Sequence, residues 1–144
     1  MFDPTSAFTT MIGDRLAADP AITEHVDPLH IRAGFVRPDN LPAIILSPAR
    51  VRMLGHASGH QLCAEVRLML HVWAVEDGTT AQVIVAAMMR NLMDAPSNHD
   101  LAELNFGIDG WDRPEVTWMR DPDPARTYTH GVVALRAVLR WRAD

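Results

Sequence analysis

Residues 61–75 read QLCAEVRLMLHVWAV, and their alternation decides the fold. Leu62, Ala64, Val66, Leu68, Leu70, Val72 and Ala74 fall on one side of an extended chain. Gln61, Cys63, Glu65, Arg67, Met69, His71 and Trp73 fall on the other. Successive side chains of a strand point to opposite faces, so an unbroken period of two predicts a long strand. One face is apolar and belongs on a core; the other is chemically mixed. The C-terminal stretch THGVVALRAVLRWR (129–142) repeats the pattern. There Gly131, Val133, Leu135, Ala137, Leu139 and Trp141 share the apolar face, and His130, Val132, Ala134, Arg136, Val138 and Arg140 the mixed one.

The remaining elements follow from these two strands outward. Asp3-Pro4 is a helix start, a capping acceptor followed by proline at the first helical position. Phe8, Met11, Ile12 and Leu16 then recur at helical spacing up to Asp19-Pro20, where the same device opens a short turn with Ile22 and Val26 on one face. Asp27 to Pro42 holds three prolines without a period and reads as a loop. AIILS (43–47) is short enough for a buried strand, ARVRML (49–54) continues in strand-like alternation, and GHASGH (55–60) reads as a turn. Thr79 with Gln82 three residues on matches a capping box, and it predicts a helix over Thr80–Ala95 with Val83, Ile84, Ala87, Met88 and Leu92 on its apolar stripe. Residues 98–113 read as a polar connection, Glu115–Asp121 as a short strand and Pro122–Arg126 as a turn. The order α–β–β–α–β–β predicts one α+β domain over residues 1–144. Its sheet is mixed, mainly antiparallel, with α-helices packed on one face.

Composition narrows the function. A chain of 144 residues with 48% hydrophobic and 22% charged residues is ordinary for one globular domain and is not disordered. A net charge of −5 argues against a dedicated nucleic-acid binder, which carries a basic footprint. Cys63 is the only cysteine, so no intrachain disulfide and no cysteine-rich metal site is expected. The opening MFDPTSAF lacks a basic segment followed by an apolar run, and no stretch approaches the ~18 apolar residues of a spanning helix. No secretory leader and no membrane role are expected.

Motifs that carry chemistry are missing. His56 and His60 are four apart, but they flank a turn and lack a third ligand, so no metal is predicted. Cys63 has no glycine-rich elbow after it, and no GxSxG, P-loop or GxGxxG is present. Asp121 and Asp123 stand in a proline-broken turn that explains both carboxylates. The expectation is a protein that is no enzyme, with no catalytic residue, cofactor or metal. The mixed sheet faces point elsewhere. A solvated face would account for arginines alone, but Arg67, Arg136 and Arg140 stand among Trp73, Met69, Val132 and Val138. Arginine with aromatic and aliphatic neighbours is the composition of a protein–protein interface. Arg67, Trp73, Arg136 and Arg140 are the candidate subunit interface.

Four blocks in order, LAADPAI, LPAIILS, HQLCAEVRLMLHVWAVEDG running into TAQVIVAAMMRNL, and WMRDPDPARTYTHGVVALRAVLRW, resemble the tail-completion or tail-terminator family of long-tailed phages and phage-like particles such as gene transfer agents. The resemblance covers most of the chain. It departs at PARTYTHG, where a shorter turn is usual, and in a longer connection around 98–111. What it implies is a structural virion protein, assembled in the host cytoplasm. Such a protein forms a homo-oligomeric, hexameric ring at the head-proximal end of the tail tube, ends tube polymerisation and joins the tail to the head connector. DNA would pass the lumen without sequence-specific binding. Alternatives are a head-completion (stopper) or tail-tube subunit and, more distantly, a small α+β enzyme or ligand-binding domain using His71 or His130.

Overall fold

The computed structural model describes residues 3–34, 38, 40–97, 101, 103–119 and 128–143. The expected turn at Pro122–Arg126 and the paired Asp121 and Asp123 lie outside the described residues, as do parts of the 98–113 connection. Helices α1 (Pro4–Ala17), α2 (Pro20–Thr23) and α3 (Thr80–Asn91) accompany strands β1 (Ile31–Ala33), β2 (Ala43–Leu46), β3 (Arg50–Ala57), β4 (Gln61–Val75), β5 (Phe106–Trp111), β6 (Glu115–Met119) and β7 (Tyr128–Arg142). None of these helices is long and apolar enough to cross a membrane.

The two alternating stretches form the spine. β4 and β7 pair antiparallel along their whole length, from Gln61 opposite Arg142 to Val75 opposite Tyr128. The other edge of β4 carries β3 beside residues 61–67 and β2 beside residues 70–73, both antiparallel. The other edge of β7 carries β5 beside residues 137–141 and β6 beside residues 130–134. β1 joins β2 in parallel, which makes the sheet mixed. The α+β architecture expected from the sequence is therefore present.

The apolar residues of both spine strands lie under the helices. Val66, Leu68, Leu70, Val72, Val133, Leu135 and Leu139 are buried with Phe8, Ile12 and Leu16 of α1 and Ile84, Val85 and Met88 of α3. Three asparto-proline pairs among the described residues each start a helical turn. Asp3 accepts from Thr5 N at 3.0 Å, Asp19 from Ala21 N at 3.0 Å and Asp27 from Leu29 N at 2.9 Å. The preset φ of proline and the donated N–H bonds together fix these N-termini.

Several expectations change. The loop expected over Asp27–Pro42 contains a 3₁₀ turn at Pro28–His30, opened by the third asparto-proline pair, and the short β1. The expected turn at 55–60 shrinks to Ser58–His60, because β3 bulges at Gly55 (φ 120°) and continues to Ala57. The capping box at Thr79 does not form. Asp77 accepts instead from Thr79 N (3.0 Å), Thr80 N (2.8 Å) and the Thr80 hydroxyl. These three bonds, led by the Thr80 hydroxyl, lower its pKa to about 2. The helix ends at Asn91 rather than Ala95, and Val85 rather than Val83 faces the core. The polar connection hides β5, whose period is broken at a bulge between Ile108 and Gly110.

Candidate assembly interface

Among the described residues the helices lie on one sheet face, and the mixed face opposite them gathers all four candidate interface residues. Arg67 is directly across from Arg136 in the β4–β7 register, Cys63 from Arg140, and Trp73 from His130. Two arginines face to face would repel. Glu65 removes the conflict. Only 4% exposed, it accepts from Arg67 Nε (2.6 Å) and Arg52 Nη2 (3.0 Å), and from Arg136 Nη2 (2.9 Å). The hydrogen bond from Arg136, then that from Arg67, holds its carboxyl down to about 2, well below the ordinary glutamate value. A buried carboxylate needs such partners, since an unpaired charge out of water is costly. Glu65 raises the pKa of Arg136 in return.

The network runs on across the strands. Arg136 Nη1 donates to Asp112 Oδ2 at 3.0 Å. Arg140 Nη1 donates to Gln61 Oε1 at 3.2 Å, and its Nε lies 3.1 Å from Asp109 Oδ2 without hydrogen-bond geometry. Arg52, Glu65, Arg136 and Asp112 thus form a line of alternating charge from β3 across β4 and β7 to the end of β5. Arg136 and Arg140, expected to be left for a neighbour, are engaged within the chain. Arg67 remains more than half exposed while it holds Glu65.

The other end of the face is aromatic. Trp73 stacks on His130 (3.7 Å between centroids, 11° between planes), and His130 stacks in turn on His71 at 5.1 Å. The Ser47 hydroxyl donates to Met69 O (3.1 Å), so in its 3.0 Å contact with His71 Nε2 it acts as acceptor. His71 Nδ1 is then an acceptor, filled by His130 Nε2 at 2.9 Å. Burial lowers the His71 pKa and keeps the ring neutral. A cleft of about 470 Å³ beside α1 is lined by Thr5, Ser6, Thr9, Thr10 and Ser47 among others, with neither His71 nor His130 in its wall. No group of three metal-ligating side chains occurs among the described residues, and His56 and His60 sit on β3 and in the turn after it. Sequence reasoning placed the arginines on one face but missed Glu65 as their hub. The signal was a lone carboxylate two residues from Arg67 on the same face.

A family model for the tail completion protein gp17 matches residues 10–140. The chain belongs to the gp17 tail-completion family. It is a structural protein of a phage-type tail and a component of the virion. The match covers β4 and runs into β7 as far as Arg140, so Arg67, Trp73, Arg136 and Arg140 all lie inside the matched region. No curated protein matches this tail-completion chain in sequence. Among solved structures, a chain from the virion of a native gene transfer agent (GTA) particle shares its fold, with a TM-score of 0.70 and 19% identity. The likeness covers 97% of this chain and 99% of that one.

Proposed function

We propose that this tail-completion protein forms a closed, head-to-tail ring of six copies at the head-proximal end of a tail tube. The ring ends tube polymerisation and presents the surface on which the head connector docks. One observation carries the reading. Among the described residues a long sheet has its helices on one face, and the other face holds Trp73 and a charged network built around arginine. That composition suits contact with protein rather than with water. The shared fold with a chain of a gene transfer agent virion supports a place in a phage or phage-derived particle.

DNA would cross the ring without being read. A net charge of −5 per chain gives a ring that does not retain phosphates, because such affinity comes from clustered basic residues. Negative-stain imaging of the purified protein, alone and added to growing tail tubes, tests the proposal. Single rings and capped tubes of fixed length are expected. Long polymers of this protein alone would make it a tube subunit. Rings that bind the connector but leave tube growth unchanged would make it a stopper.

A further inference from the structure

The sheet ends in two unlike edges. Among the described residues β3 pairs only with β4, and β5 only with β7, so each offers an unpaired row of N–H and C=O groups. Both edges lie at the same height, because β3 flanks Gln61–Arg67 and β5 flanks Ala137–Trp141, which are themselves cross-strand partners. Unpaired edges are templates for another strand, and proteins ordinarily block them.

Each edge has an apolar and a charged side. On β3, Val51 and Met53 extend the helix-bearing face and are about half exposed, at 46% and 53%. Arg50 and Arg52 extend the mixed face, and residues 49–60 contain no acidic side chain. On β5, Phe106, Ile108 and Trp111 lie on the helix-bearing face. Asp109 contacts Arg140 on the mixed face, and Asp112 follows the strand, bonded to Arg136. The line of alternating charge therefore starts in a cation at the β3 edge, Arg52, and stops in an anion at the β5 edge, Asp112. Both ends reach water, at 71% and 57% exposure.

Resting on the ring reading, we propose that the occupant of each edge is a second copy of this chain: the β3 edge of one subunit pairs with the β5 edge of the next. Three features agree. β3 and β5 run in opposite directions, since three antiparallel pairings separate them. The new pair is antiparallel, and the sheet's alternation passes through the joint unbroken. Val51 and Met53 meet the Ile108 side of the neighbour on one face. On the other, Asp112 meets Arg50 and Arg52, so the alternation of charge continues from subunit to subunit. Like edges repel: β3 against β3 sets arginine on arginine, and β5 against β5 sets carboxylate on carboxylate. Only the unlike pairing attracts, which selects a head-to-tail ring over a two-fold dimer.

Charge exchange across the joint tests this. Arg50 stands directly opposite Arg67, so Arg50→Glu gains a local partner and should fold. Asp112→Arg blocks the other edge, and circular dichroism confirms that each variant is folded. Analytical ultracentrifugation at low salt should show rings for the wild type and monomers for either variant. A loss of about a hundredfold or more in affinity is expected, since juxtaposed like charges cost several kcal/mol. A one-to-one mixture of the two variants should form rings again, with native joints alternating with joints in which the two charges are exchanged. Both substitutions in one chain should restore rings. Wild-type rings that survive both single variants would overturn the edge assignment and leave the ring reading standing. A wild type that stays monomeric, alone and beside tail tubes, overturns both.

Discussion

Phe8 joins the helical layer to the acidic edge of the sheet, and Phe8→Ala measures that joint. The ring is fully buried and meets Phe106 edge-on at 6.5 Å and 74°, and Trp111 at 6.3 Å and 71°. Truncating a core phenylalanine to alanine costs about 3–5 kcal/mol, part in lost transfer energy and part in the cavity left behind. Each edge-to-face contact adds roughly 0.5–1.5 kcal/mol beyond the buried area, which places this site near the upper end. A domain of this size holds about 5–15 kcal/mol in all, so the variant should fold with little margin and melt roughly 10–15 °C lower. Urea titration followed by tryptophan fluorescence, with thermal circular dichroism beside it, gives the number. Phe8→Leu, which gives up both ring contacts, should lose roughly 1–3 kcal/mol, and its double-mutant cycle with Phe106→Leu should return about 0.5–1.5 kcal/mol of coupling. A Phe8→Ala loss below about 1 kcal/mol would falsify the seating of α1 on β5.

Acid should find the charged network first. Glu65 has a depressed folded-state pKa, so its contribution is present above its ordinary value of 4.5 and fades as pH falls from there through about 2. Glu65→Gln should be less stable at neutral pH and lose less between pH 4.5 and 2; parallel melting-temperature curves for the two proteins would refute the hub role. Burial lowers the His71 pKa below 6.5, so the unfolded chain takes the proton first and stability declines as pH drops below that value. His71→Gln should flatten the curve in that window, and an unchanged slope would count against a buried neutral ring. Gly131→Ala would bring a methyl group to 2.9 Å from the Trp118 ring, which lies over the glycine from β6. The ring must lift, at a cost of roughly 1–3 kcal/mol; Trp118→Ala in the same chain should recover part of it, and no recovery would show that the clash lies elsewhere.

The fold was legible wherever one physical cause ruled a segment. In β4 and β7 one face is buried from Ala64 to Ala74 and from Gly131 to Leu139, so the period of two persists and the register is pinned. β5 was hidden because FGIDGW carries two glycines and an aspartate, and its bulge breaks the period inside six residues. β3 ran past its expected end because Gly55 and His56 look like turn residues, yet Gly55 serves the bulge. Asp77 displaced Thr79 as the cap because a carboxylate two residues ahead reaches both N–H groups, a competition that spacing alone does not decide. At the interface, alternation put Arg67, Arg136, Arg140 and Trp73 on one face. Which of them were already engaged depended on cross-strand register, and register joins residues some seventy positions apart, such as Glu65 and Arg136.

The placement of β7 has a consequence in time. β5 and β6 are made before it, yet among the described residues both pair with β7 and with no other strand. Neither can settle into the sheet until β7 has followed them out of the ribosome. β2, β3 and β4 need no later strand to pair with one another. A nascent chain thus shows its basic border early and its acidic border late. Two half-made copies lack the acidic border, so the unlike pairing of edges waits for the completed sheet.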